Sequence, residues 1–457
     1  MIPLMQQERI EELTEALSQK QYHRFTDAVD TMNAIDVAEY LSTLQGDRLL
    51  TAFRLLKKDI AADVFAELES EAIEQIVLAT KDADLALLVD DLFIDDAVDL
   101  LEELPASMVK RILRVTNPET RRLINKFLSY PENSAGSVMT AEFIDLKETM
   151  TVSEAVARIR RTGVDKETVY TAYIIDGARH LHGTVSLKDL LFADSEALLS
   201  DIMSTDIVMA STSDHREEVA AIISKYDLLS LPIVDREQRL VGIVTVDDAL
   251  DVMEEEATED IEKMAALVPD NRPYLRSRVI EIFKKRIPWL LLLMVSATFT
   301  GEIISGFEES LALFPALIAF IPMLMDTGGN SGGQASVTII RGLALGEITM
   351  KDIFRIIWIE IRVGFACGVV LSACNFIKIL LIDNLIFHNG VSPGQAAVVS
   401  ITLICTVVVA KFVGGTLPVL AKKIGLDPAV MASPFITTIV DAVSLLIYFR
   451  IALLLLM

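Results

Sequence analysis

From Lys284 onward the sequence runs through five apolar stretches: 288–307, 314–340, 353–382, 396–420 and 429–457. Each is long enough for a helix to cross about 30 Å of hydrocarbon. Residues 284–457 carry 12 Lys and Arg against 10 Asp and Glu. The net charge of −24 over 457 residues therefore falls on residues 1–283, which carry −26. An acidic, water-exposed portion is thus joined to a membrane portion. A mean hydropathy of +0.44 argues against an ordinary soluble enzyme, and the shortage of positive charge argues against a nucleic-acid partner.

Flanking charge orients the five crossings, because cytoplasmic loops collect Lys and Arg. Lys284, Lys285 and Arg286 precede the first span, Arg341, Lys351 and Arg355 flank the second loop, and Lys422 and Lys423 lie in the fourth. The first loop offers only Glu308 and Glu309, and the third holds Asp383 and His388. This predicts a multi-pass protein of the cell membrane with a cytoplasmic amino terminus and an outside carboxyl terminus. The segment Met1 to Lys20 is interrupted by Glu8, Arg9, Glu11, Glu12 and Glu15 and lacks the apolar core of a secretory signal. Cys367, Cys374 and Cys405 all lie in apolar stretches, where they read as packing residues.

The acidic portion divides into three pieces. Residues 1–130 read as helices, with segments starting at Asp36, Asp59 and Asp95 that each pair an acidic cap with apolar residues at helical spacing, a degenerate helical repeat. Residues 131–253 hold a duplication. Ser137-Val-Met-Thr and Asp201-Ile-Met-Ser open two units that close on Gly183-Thr-Val-Ser-Leu-Lys-Asp and Gly242-Ile-Val-Thr-Val-Asp-Asp, with β-branched runs between amphipathic helices. This α+β pair resembles tandem cystathionine-β-synthase (CBS) domains. The resemblance implies an adenine-nucleotide site using Ser186, Asp189, Thr245 and Asp248; the same residues also suit plain helix capping. Residues 254–284 read as a connecting helix, continuous from Asp247 to Leu267 and broken by Pro269 and Pro273, leading into the membrane portion, 285–457.

Polar residues within the spans are expensive and mark ion pathways. The second span contains Met325-Asp-Thr-Gly-Gly-Asn-Ser-Gly-Gly-Gln334, in which glycines allow a backbone to open toward a bound species; small residues also serve close helix packing. Asp326 adds either a pore charge or a wall residue. In the fifth span Asp441 falls near mid-bilayer with no basic residue close by on its own helix, so it needs a proton or a cation. Lys378 reads as snorkelling outward, and Lys411 as a structural partner to an acid or a helix-end carbonyl. Oxygen donors without clustered His or Cys describe a hard cation, and a sparse site suits Mg²⁺, which keeps several waters, while leaving Mn²⁺ and Co²⁺ open. His180, His182 and His215 show no catalytic partner, and no phosphate-binding loop appears.

The ordered whole resembles the MgtE family of magnesium transporters: a mainly α, multidomain chain with a helical repeat domain, a CBS pair, a connecting helix and five membrane helices. The matching motifs are Gly328-Gly-Asn-Ser-Gly-Gly-Gln334, Asp427-Pro-Ala-Val-Met-Ala-Ser-Pro434 and Asp441 with the following Leu-Leu-Ile-Tyr448. The resemblance implies a homodimeric Mg²⁺ channel in the lipid bilayer, not an enzyme, with Asp441, Asn330, Gly328, Gly329 and Asp427 toward the pore. It also implies closure by intracellular Mg²⁺ at Asp95, Asp99, Glu217, Asp227, Asp248, Asp251, Glu256, Glu259 and Asp260. The competing reading is a CBS membrane sensor that reads nucleotide without transporting.

Overall fold

The computed structural model describes residues 4–269, 274, 277–431 and 433–456. The chain divides into two compact units, Met1–Met253 and Glu254–Met457.

Among the described residues the first unit opens with ten helices between Leu4 and Phe127. The expected caps shift by a few positions. Helices Ala34–Ser42, Lys58–Ala66 and Ile94–Glu103 are capped by Asn33, Lys57 and Phe93, and only Asn33 makes a side-chain cap, accepting from the Ile35 amide. Asp36 and Asp95 instead sit inside the first turn, where the helix dipole favours negative charge. Periodicity placed the helices, but an acidic residue near a helix start serves a cap and a first turn equally well.

The duplicated region forms two three-stranded sheets of identical design. Strands β1 (Ile144–Leu146) and β2 (Thr171–Ile175) run parallel and β3 (Leu181–Ser186) returns antiparallel; β4 (Ala210–Ser211), β5 (Ser230–Val234) and β6 (Leu240–Thr245) repeat the order. The register repeats as well, Ile174 opposite Gly183 and Ile233 opposite Gly242, with a shift just after each pair. The two openers are exchanged. Thr140 trades backbone hydrogen bonds of 2.8 and 2.9 Å with Ile243, and Ser204 does the same with Thr184 at 2.9 and 3.0 Å. A Cβ at Gly242 would meet the Met139 sulfur at 2.7 Å, and one at Gly183 would meet that of Met203 at 2.6 Å. Each Met of the opening motif therefore packs on the closing Gly of the other repeat. A shared core of Phe143, Tyr173, Ile175, Leu240 and Ile243 joins them.

The connecting helix α1 (Val246–Met264) ends slightly earlier than expected, with Ala266 at a φ of 55°, before Pro269 is reached. Pro273 lies outside the described residues.

Five long helices follow: α2 (Val279–Gly306), α3 (Ile321–Ala344), α4 (Ile353–Lys378), α5 (Pro393–Lys423) and α6 (Ser433–Leu456). Four helical stretches among the described residues have the length and hydropathy of a membrane crossing. The remaining helix, α3, at 24 residues is about 36 Å long. It misses on hydropathy alone, because it holds the polar glycine-rich stretch. Pro288, expected to start the first span, lies inside α2. Lys378, expected to snorkel, pairs with Asp383 at 3.1 Å.

The glycines of α3 decide how this unit packs. The helix is unbroken through Gly328, Gly329, Gly332 and Gly333, all buried, so the backbone does not open there as the sequence suggested. A Cβ at Gly414 of α5 would lie 2.2 Å from the Gly332 carbonyl oxygen, and one at Gly332 would lie 2.6 Å from Ile436 of α6. Small residues let these backbones approach, as in other membrane helix interfaces.

Candidate functional site: a carboxylate-lined cavity in the helical unit

Where α3 and α6 face each other, a cavity of about 310 Å³ is lined by Met325, Asp326, Gly329, Asn330, Thr437 and Asp441. Asp441 is half-buried, and its Oδ1 is buried with no hydrogen-bond partner. No ion pair to it exists among the described residues, so neither a guanidinium nor an ammonium locks it. The α-helix starts at Ser433, after a 3₁₀ turn at Pro428–Met431. Asp441 thus stands about 12 Å along α6.

On α3 the spacing of Asp326 and Asn330 puts both on one face. The Asn330 amide donates to Asp326 Oδ1 at 3.0 Å. Gly329 lines the same cavity, whereas Gly328 is turned into helix packing: its Cβ would meet Thr406 and Val440 at 2.8 Å. A second cavity of about 590 Å³ continues along α3, past Asn330, Ser331 and Gln334, to Lys411 of α5. Lys411 is 7% exposed and donates to Gln334 Oε1 at 3.5 Å. Oxygen donors therefore dominate the smaller cavity, and the buried ammonium stands in the larger one.

Asp427 does not line either cavity. Its Oδ2 accepts from Lys263 at 2.6 Å, and its Oδ1 accepts from the Ala429 amide at 2.8 Å. Lys263 also pairs with Glu259 one turn back on α1. Partial burial opposes the charge on Lys263, but the two carboxylates outweigh it and raise its pKa. Beside this clasp Met264 packs with Ile340 and Ala429.

In the first unit a different acidic group forms. Asp95 is 8% exposed, and its Oδ1 is buried without a hydrogen-bond partner. Burial, then the charges of Asp248, Asp96, Glu167 and Glu142, push its pKa up to about 9. Burial and Asp248 also raise Glu167 to about 7 and Asp96 to about 6. Burial raises Asp248 too, against the hydrogen bond from Thr245. A buried carboxylate oxygen facing further carboxylates suits a bound cation. Yet no three acidic, His or Cys side chains among the described residues converge closely enough to hold a metal directly.

A family described as a divalent cation transporter matches residues 321–451, the MgtE intracellular N domain matches 32–133, and CBS domains match 135–196 and 199–255. A magnesium transporter MgtE of Thermus thermophilus is 34% identical over 97% of this chain and 98% of its own length. The chain belongs to the MgtE family. A second member, from Bacillus subtilis, is 32% identical over 94% of this chain and 93% of its own. Among solved structures, the soluble part of a magnesium transporter aligns with a TM-score of 0.53 at 29% identity, covering 55% of this chain and 99% of that one. The cytosolic domain of the Mg²⁺ channel MgtE, in complex with ATP, aligns with a TM-score of 0.51 at 34% identity, covering 53% and 99%.

Within this MgtE-family chain the residues named from sequence are distributed unevenly. Asp441, Asn330 and Gly329 meet in one cavity, while Gly328 and Asp427 stand apart from it. Asp95 and Asp248 are neighbours. Glu259 is paired with Lys263, Asp227 is the left-handed cap ending the helix Arg216–Tyr226, and Glu217 lies in that helix's first turn. Asp99, Asp251, Glu256 and Asp260 also make interactions of their own. Ser186 and Asp189 close a capping box, with Ser186 Oγ donating to Asp189 at 2.6 Å, and Thr245 hydrogen-bonds Asp248. His180 pairs with Asp176 at 2.9 Å, and the three cysteines are free thiols. Sequence reasoning missed Asp96, Glu142, Glu167, Thr437 and Lys263. Of these, Lys263 carried a visible signal, since it follows Glu259 at i,i+4.

Proposed function

We propose that the chain is a Mg²⁺ channel that admits Mg²⁺ to the cell down its electrochemical gradient and closes when cytosolic Mg²⁺ is high. The observation that carries this reading is the unpaired Asp441 carboxylate in a cavity whose other lining residues include the oxygen-bearing Asp326, Asn330 and Thr437. A fixed anionic charge among apolar helices needs a counter-ion, and a cavity of about 310 Å³ leaves room for the several waters Mg²⁺ retains. The inside-negative potential supplies about 2.3 kcal/mol per charge per 100 mV, hence roughly twice that for a dication. Mn²⁺ and Co²⁺ share the same donor preference and are tested alongside.

The working unit is a homodimer in the cell membrane, with the Asp441 side chains of both copies toward the shared axis and the first unit in the cytoplasm. Closure draws on Asp95, Asp99, Glu217, Asp227, Asp248 and Asp251, with Glu256, Glu259 and Asp260 on α1. Because these do not converge in threes, Mg²⁺ reaches them through its own waters or bridges elements that draw together. The −26 carried by residues 1–283 repels itself when cations are scarce, and this loosens the closed arrangement. Adenine nucleotide at the CBS pair belongs to the same proposal, supported by the ATP in the related cytosolic domain. There Ser186, Asp189, Thr245 and Asp248 exchange their capping bonds for ribose and phosphate.

Mg²⁺ flux into proteoliposomes tests the reading. Wild-type protein is expected to conduct and to close as Mg²⁺ on the cytoplasmic side rises, and Asp441→Asn to lose conduction. No flux from folded protein under any condition removes the transport claim and leaves the CBS sensor.

A further inference from the structure

We infer that Asp326 is the second carboxylate of the ion site and sets its preference for divalent over monovalent cations. This rests on the proposed conduction through the Asp441 cavity and adds a residue to it.

Asp326 and Asp441 come from different helices, α3 and α6, and line one cavity. Asp326 is exposed in the single chain and belongs to both the smaller and the larger cavity, so it stands where they join. Asn330, one turn on, donates its amide to Asp326 and so fixes that carboxylate's rotamer. With its amide engaged, Asn330 offers its carbonyl oxygen as an acceptor, and Gly329 brings the α3 backbone to the cavity without a side chain between. Six waters occupy roughly 180 Å³ at about 30 Å³ each, so a fully hydrated Mg²⁺ fits within the 310 Å³. Its waters are acidified donors, and the lining offers acceptors at Asp326, Asp441 and Asn330.

Valence follows from the charge count. Attraction between an ion and each carboxylate scales with the charge of the ion. Each copy of the chain brings two carboxylates to its cavity, and the attraction each adds is twice as large for a dication as for a monovalent ion. Removing one carboxylate therefore weakens Mg²⁺ binding about twice as much, in free energy, as it weakens Na⁺ binding. Lys411 shares the larger cavity with Asp326 but makes no ion pair with it among the described residues; it donates to Gln334 and is absent from the lining of the smaller cavity.

The test uses full-length protein in proteoliposomes, with Mg²⁺ uptake and Na⁺ leak measured on the same preparations of wild type, Asp326→Asn, Asp326→Glu and Asp441→Asn. Asp326→Ser replaces Asp326→Asn if the latter is not monodisperse. For Asp326→Asn the expected result is a half-saturating Mg²⁺ concentration raised about tenfold and a fall of about threefold in the Mg²⁺/Na⁺ flux ratio, since Na⁺ loses half the free energy that Mg²⁺ loses, with Asp326→Glu close to wild type. An unchanged flux ratio, whether or not total flux drops, overturns the inference, since a residue that only shapes the wall lowers both fluxes together. If Asp441→Asn conducts Mg²⁺ like wild type, the underlying conduction reading fails instead. If Asp441→Asn is inactive while Asp326→Asn keeps the wild-type ratio, only the role of Asp326 is lost.

Discussion

The two acidic sites treat their carboxylates in opposite ways. Around Asp95 the protein closes over the charge: the residue is 8% exposed, and Asp248, Asp96, Glu167 and Glu142 crowd it. Around Asp441 it leaves about 310 Å³ of space and arranges acceptors at the rim. Burial among like charges makes a site that holds a proton or a cation tightly and whose surroundings change when that partner leaves. Burial beside room makes a site that an ion enters with its water and leaves again. Under the proposed function the same side chain serves gating in one place and conduction in the other, and the difference lies in its surroundings.

The largest effect that would break this contrast is on conduction. Asp441→Asn is expected to lower Mg²⁺ flux about 100-fold, the scale of an intramembrane charge worth roughly 2.5–3.5 kcal/mol. Flux assays that find wild-type rates would reduce Asp441 to a second storage site.

Next comes the cost of holding carboxylates together. The pKa of Asp95 rises from the ordinary carboxylate range near 4 to about 9 in the folded protein, with Glu167 near 7 and Asp96 near 6. A raised carboxylate pKa means that the folded state binds the proton more tightly than the unfolded state. The stabilisation is complete below about pH 4 and is lost as pH rises toward 9. Metal-free protein should therefore melt at progressively lower temperature from pH 5 to pH 9, and added Mg²⁺ should raise the melting temperature more at pH 8 than at pH 6. Asp95→Asn should stabilise the metal-free protein by about 1–3 kcal/mol and flatten both dependences. A melting curve that ignores pH and Mg²⁺ would remove the contrast from this side.

The smallest effect concerns the clasp between Lys263 and Asp427. Lys263→Met leaves Asp427 and Glu259 facing each other without the ammonium. Because the pair is partly exposed, the change is worth at most about 1 kcal/mol. Flux at low Mg²⁺ is expected to rise up to about fivefold, with flux at high Mg²⁺ unchanged. An identical Mg²⁺ dependence would make the clasp incidental to closure.

Much of this was legible in the chain before folding. The five long helices follow from apolar runs between charged flanks, and the duplicated sheets follow from the repeated opener and closing glycine. The exchange of openers between repeats was not, because the motif marks where a unit begins and is silent on which sheet it joins. Asp441 could be singled out because a lone acid in an apolar helix needs a partner wherever it lies. The glycines around Asn330 were ambiguous: backbone opening and close packing ask for the same residue, and the backbones of Gly414 and Gly332 lie so close that a Cβ at Gly414 would fall 2.2 Å from the Gly332 carbonyl oxygen, which settles it for packing. Glu142 and Glu167 were invisible as neighbours of Asp95, since acids on an already acidic surface carry no mark of which ones tertiary structure gathers.

That close approach has a mechanical consequence. With α3 wedged against α5 and α6 at distances a single methyl group would violate, these three helices can turn or slide over one another only by first separating. Helix α2 has no buried residue and is attached to α6 through such contacts as Trp289 on Phe435 and Phe307 on Phe449. A pull transmitted along the chain at Val279 therefore arrives at the strut with the shallowest grip, and the rigid trio beyond it moves as one block or stays still.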